Sequence, residues 1–220
     1  WNMANDNTAM GYESLNQNTG GHHNTALGSN AMRQNTSGNF NTAVGDSAGL
    51  HNLSGSSNSF FGKNAGFSNS TSEGNAFFGA QAGYSNDAGS YNTAIGFESM
   101  IKNASGFYNT ALGWRSLKLM ENGFQNTALG VGAIEFTKVS SYNVALGRGA
   151  MIAAGGNLNT AVGYFASGTS DFDEDNTYLL FGTTTVGAFA GYRNLGNENT
   201  LIGYSAGYGA GPDSLKGVGN

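Results

Sequence analysis

The sequence predicts an all-β fold, a parallel β-roll or β-solenoid of about twelve coils of roughly 17 residues. Three observations lead there. A five-residue motif, seen as Asn24-Thr25-Ala26-Leu27-Gly28, recurs with its glycine at Gly11, Gly28, Gly45, Gly62, Gly79, Gly96, Gly113, Gly130 and Gly147, each 17 residues after the last. Other residue columns share the period. The composition, with 36 glycines in 220 residues and only 10% charged residues, hints at disorder until this register is noticed, and a disordered segment has no need of register.

The first coil is under way at Asn7-Thr8-Ala9-Met10-Gly11, and regular copies follow at Asn24 and Asn41. Two variants come next, Asn58-Ser59-Phe60-Phe61-Gly62 and Asn75-Ala76-Phe77-Phe78-Gly79, whose phenylalanines predict locally fatter coils. Regular motifs return at Asn92, Asn109, Asn126 and Asn143. The phase then slips by one residue to Asn159-Thr160-Ala161-Val162-Gly163. A gap of 24 leads to Thr183-Thr184-Thr185-Val186-Gly187, one coil plus seven residues, so an insertion around 170-182 must bulge out as a loop. The last motif ends at Gly203. The roll is expected over 1-208, with a glycine-rich tail at 209-220. The chain begins at Trp1, as a processed or partial chain does.

Each motif is expected to be a strand of four or five residues, stacked on its neighbours at ~4.8 Å. Twelve coils then rise about 58 Å as a stiff rod. A second short strand is expected at the small-apolar pair three and four residues after each glycine, as at Ala31-Met32 and Ser116-Leu117. The motif glycines, and those three positions before the motif asparagine (Gly21, Gly38, Gly55), mark corners that need positive φ or close backbone approach. Asparagine columns, one in the motif and one through Asn18, Asn35, Asn52, Asn69, Asn86 and Asn103, suit hydrogen-bonded ladders along the axis. Along a strand the alanines face one way and the threonines and leucines the other. So thin a roll has a marginal core. With apolar columns on both faces, one packs inside and the other against partner chains.

At the N-T-A-L-G and G-x-x-A columns the chain resembles the YadA-like head repeats of trimeric autotransporter adhesins, and equally the related repeats of phage and prophage tail-fibre proteins. The resemblance runs from Asn7 to about Tyr208. It implies a left-handed parallel β-roll, three chains around a threefold axis, displayed extracellularly on a cell surface or virion. The chain departs from it in having a 17-residue rather than a shorter repeat, and in showing no stalk heptads, membrane anchor or chaperone domain.

The net charge of −5 carries no basic stripe, which excludes the phosphate-neutralising footprint that nucleic-acid binding requires. Cysteine is absent, so disulfides and thiolate metal sites are excluded. No apolar run approaches the ~20 residues of a membrane-spanning helix. Serine and threonine belong to repeat columns, leaving no distinct nucleophile-base arrangement, and the chain is expected not to be an enzyme.

The candidate metal site is Asp171, Asp173 and Asp175 in the insertion, with carboxylates alternating as calcium loops present them. Asn176 and Gly182 stand where an EF-hand has its glycine and glutamate, and the competing reading is a solvated acidic loop. Apart from that calcium, no cofactor is expected. His22-His23 point in different directions on an extended chain and suit a surface turn. Aromatic residues flank the motif at Phe40, Tyr91, Tyr108, Tyr142, Tyr12, Phe97, Trp114 and Tyr164; they suit either binding of a host glycan or protein, or covering of roll edges and chain contacts. Asn35, Asn52, Asn69 and Asn103 stand in glycosylation sequons, and Asp46-Ser47-Ala48 and Asp213-Ser214-Leu215 resemble an O-glycosylation signal.

The leading expectation is a non-enzymatic structural and adhesive rod, a fibre segment of a surface adhesin or phage-like tail fibre. The alternative is an extracellular filament subunit that stacks end to end through uncapped coils. Ice binding through the threonine column needs an unbroken ladder, and threonine gives way to Ser59, Ala76 and Val144.

Overall fold

The computed structural model describes residues 6–169, 179–194 and 196–209, and within them the fold is an all-β parallel solenoid of about eleven turns with no helix. Two compact units divide it, 1–108 and 109–220. The first contains strands β1 (Thr8–Met10), β2 (Thr25–Leu27), β3 (Thr42–Val44), β4 (Ser59–Phe61), β5 (Ala76–Phe78) and β6 (Thr93–Ile95). These pair in parallel in sequence order, each threonine position opposite the next. In the second unit β7 (Thr110–Leu112), β8 (Thr127–Leu129), β9 (Val144–Leu146), β11 (Thr160–Val162), β13 (Thr184–Val186) and β14 (Thr200–Ile202) do the same. A two-stranded sheet, β10 (Gly155–Asn157) with β12 (Leu179–Phe181), lies beside them.

The one-residue slip and the insertion leave the register intact: Thr160 pairs with Val144 on one side and Thr184 on the other. The missing residue comes out of the turn between Ala154 and Asn159, where β10 runs, and Asn143 still donates to the Gly156 carbonyl at 2.8 Å. Each motif strand has three residues rather than the four or five expected.

Among the described residues the expected second strand is absent. After the motif glycine the chain runs through overlapping four-residue turns, with Ser14 N donating to Gly11 O, Asn16 N to Glu13 O and Asn18 N to Leu15 O. Coil-to-coil bonds persist there, Leu15 N to Ala31 O and Met32 N to Ala48 O, so these backbone groups are satisfied without a strand. What replaces it is a bend through left-handed residues: in the second coil Asn30 and Met32 have φ of 57° and 48°, and His23, just before the motif strand, has 56°. A chain that closes a 17-residue loop around one short strand must reverse direction tightly. Left-handed residues supply the bends, against a cost of ~1–2 kcal/mol each for non-glycine side chains.

Gly28 is held at φ 137°, and a Cβ there would run into the Gly45 carbonyl; the motif glycine is therefore fixed by conformation and by space. Gly21 has no positive φ. A Cβ at Gly21 would instead strike the Gly38 carbonyl and the side chains of Asn18 and Asn35.

Inside the roll, Ala26, Ala43, Ala94, Ala111, Ala128, Ala145 and Ala161 are buried, together with Met32, Met100, Leu117, Ile134 and Met151. Phe60 and Phe77 are completely buried too. Their volume is matched by the fourth residue after the motif glycine. Gly49 and Gly66 flank the Phe60 ring and Gly83 meets Phe77, at the position where Met32, Met100, Leu117, Ile134 and Met151 accompany a strand alanine. The same exchange recurs in the second unit, where Gly191 lies against Thr185 and Gly207 against Leu201. A close-packed interior conserves volume, so one column grows where the other shrinks.

Both asparagine columns form ladders. In the motif column Asn41 Oδ1 accepts from the Asn58 backbone N–H at 2.9 Å, while Asn41 Nδ2 donates to the Gly55 carbonyl at 2.8 Å. In the second column Asn35 Nδ2 donates to Asn18 Oδ1 at 2.6 Å, and Asn52 Nδ2 to Asn35 Oδ1 at 3.0 Å. Its unbroken run ends at Asn103; Met120, Thr137 and Ala154 take the next three positions and asparagine returns at Asn194, all buried.

Candidate functional surface

The alternation of a strand decides which side chains leave the roll. With the alanine of each motif inward, the residues on either side of it point outward. On the first unit these are Thr8, Thr25, Thr42, Ser59, Ala76 and Thr93 in one column and Met10, Leu27, Val44, Phe61, Phe78 and Ile95 in the other. On the second, Thr110, Thr127, Val144, Thr160, Thr184 and Thr200 accompany Leu112, Leu129, Leu146, Val162, Val186 and Ile202. Strict register stacks each column into a continuous stripe.

The apolar stripe is open to solvent on a single chain. Leu27 is 38% exposed, Ile95 39%, Leu112 41% and Leu129 42%. Neither outward column holds a charged residue, in a chain whose charges lie on the turns at positions such as Glu13, Asp46, Lys63 and Glu98. Phe61 and Phe78 interrupt the aliphatic stripe; their rings stack at 4.7 Å and 5°.

Asp171, Asp173 and Asp175, the candidate calcium ligands, lie outside the described residues. Among the described residues no group of three or more His, Asp or Glu is placed to hold a metal ion. His22 and His23 are both exposed; His23 stacks on Phe40 at 5.0 Å and lies 3.9 Å from Asp6. No helix among the described residues is long and apolar enough to cross a membrane.

The sequons fall on the wrong side of the chain. Asn35, Asn52, Asn69 and Asn103 are fully buried, each with Nδ2 donating within the second ladder. The nitrogen that would carry a glycan therefore faces the interior. Ser47 is half-buried, with its hydroxyl 3.3 Å from the Asp46 carboxylate, and Ser214 lies outside the described residues.

The eight flanking aromatics are all exposed. Tyr91 and Tyr108 stack at 5.2 Å and 11°, as do Phe67 and Tyr84 elsewhere on the turns at 4.8 Å and 5°, each pair joining successive coils. Arg115 lies 4.3 Å over the Trp114 ring. Tyr91 also donates its hydroxyl to Glu73, and this hydrogen bond, reinforced by the carboxylate charge, raises the phenol's pKa above its ordinary value.

No family model, no curated protein and no solved structure matches the chain.

Proposed function

We propose that the protein is a non-enzymatic structural and adhesive rod, a segment of an extracellular fibre in which three chains of left-handed β-roll associate through the outward face of the motif sheet. The observation that carries this reading is the uncharged apolar stripe from Met10 to Ile95 and from Leu112 to Ile202, solvent-exposed on one chain and repeated at every coil. Such a stripe is a cost to a solitary chain and an adhesive seam between several. The resemblance to adhesin and tail-fibre repeats favours three chains and display on a cell surface or virion. Recognition of a host glycan or protein then falls to the turn residues, which vary from coil to coil.

Light scattering on the purified protein tests the reading. A discrete three-chain particle supports it. Threads that lengthen with concentration indicate the end-to-end filament instead, and a stable single chain defeats both.

A further inference from the structure

We propose that Phe61 and Phe78, with Ser59 and Ala76, form a register key between copies of this chain. The inference rests on the association through the motif sheet proposed above, and it names what aligns the copies. Near-identical coils pose a problem for any such assembly: a neighbour displaced by one coil, ~4.8 Å, meets almost the same stripe. Charge cannot correct the slip, because the face has none. The same neutrality makes this the surface on which two copies of a chain of net charge −5 can meet without repulsion.

Size is the remaining signal, and it is concentrated in two coils. The outward apolar column of the first unit runs Met10, Leu27, Val44, Phe61, Phe78, Ile95. Its companion column runs Thr8, Thr25, Thr42, Ser59, Ala76, Thr93. The bulkiest members of one column and the smallest of the other thus share β4 and β5, in direct register. The stacked rings make a ridge two coils tall, and the loss of the threonine methyls beside them makes a shallow dent at the same height. Val144, the third place where threonine is lost, keeps threonine's shape and opens no dent.

In a closed ring of identical chains, one edge of the face meets the other edge on the neighbour. With copies aligned, the Phe61–Phe78 ridge enters the neighbour's Ser59–Ala76 dent. A slip of one coil brings a ring against Thr42 or Thr93 and leaves half the dent empty, an overpacked contact beside a void.

The chain contains no cysteine, so single cysteines report unambiguously. Thr25→Cys protein is mixed with Leu27→Cys and Val44→Cys proteins, whose cysteines lie on the facing column and differ by one coil, and the mixture is refolded and oxidised. A one-coil offset carries paired Cα atoms beyond the ~7 Å reach of a disulfide, so same-coil products (25 with 27) and cross-coil products (25 with 44) distinguish alignment from slip. In the otherwise native background same-coil products are expected to exceed cross-coil ones by about tenfold. In Phe61→Leu/Phe78→Leu the ratio is expected to fall to within about twofold, as cores tolerate such aliphatic exchanges on an outward column. Ser59→Thr/Ala76→Thr, which restores the residue used in other coils, is expected to lower the ratio while leaving the coil folded. An unchanged ratio in both variants, or equal products in the native background, overturns the key while leaving the association standing. A protein that gives no intermolecular disulfide and scatters as one 22.7 kDa chain overturns the association itself.

Discussion

The Phe60 ring lies against the α-carbon of Gly66, at the position where Met32, Met100 and Met151 fill other coils. The pair exchanges a large strand residue and no turn side chain for a small strand residue and a large turn side chain. Phe60→Ala alone should cost about 3–5 kcal/mol by leaving a cavity. Adding Gly66→Met should return at least half of that, because the double variant restores the arrangement of the second coil. Denaturant unfolding of the two single variants and the double variant measures the coupling. Strict additivity contradicts the volume exchange.

Asn41 satisfies two backbone groups of the next coil, accepting from Asn58 N–H and donating to Gly55 O. Asn41→Ala leaves both unpaired in the interior, for an expected loss of about 2–4 kcal/mol. Asn41→Asp should be worse near neutral pH, since it sets an acceptor against the Gly55 carbonyl and buries a charge without a partner. Thermal unfolding of the two variants ranks them.

Glycines of different columns should respond differently to the same change. Gly28→Ala meets both a φ of 137° and the Gly45 carbonyl, and should lose well over about 1 kcal/mol. Gly20→Ala meets the Thr36 carbonyl only at an ordinary 3.7 Å and has no positive φ; it should gain about 0.4–1 kcal/mol by restricting the unfolded chain. Paired melting curves give the sign of each.

The Tyr91–Glu73 hydrogen bond needs a protonated phenol. Because the folded pKa lies above the ordinary 10.0, its contribution is present below that value and is lost as pH rises through the folded pKa. Glu73→Gln should bring the Tyr91 titration down, seen as phenolate absorbance appearing at lower pH than in the native protein. Identical titration curves for the two proteins contradict the assignment.

The motif strands, their parallel stacking and the structural use of the asparagines were legible because each depends on period alone. Gly28, Asn24 and Ala26 occupy the same phase in coil after coil, and only a stacked solenoid gives one phase one environment. The turns were not legible. Met32, Leu117 and Ile134 are left-handed although their side chains disfavour that conformation, so no residue preference announces the bend. Taken for a second strand, they are turn residues carried by coil-to-coil hydrogen bonds. The Phe60–Gly66 exchange was present in the columns, yet it appears only when two columns are compared coil by coil. The outward stripe was visible as a second apolar face at Leu27 and Leu112. Its size signal at Phe61 and Phe78 emerged once strand pairing placed the rings over one another.

Sedimentation equilibrium of the native protein beside Leu112→Lys/Leu129→Lys tests the central claim most directly, since both leucines lie on the exposed stripe and outside the core. The account predicts a native mass of three times 22.7 kDa that falls to a single folded chain in the lysine variant. A native protein that sediments as one chain across the whole concentration range, with its stripe open to water, contradicts it.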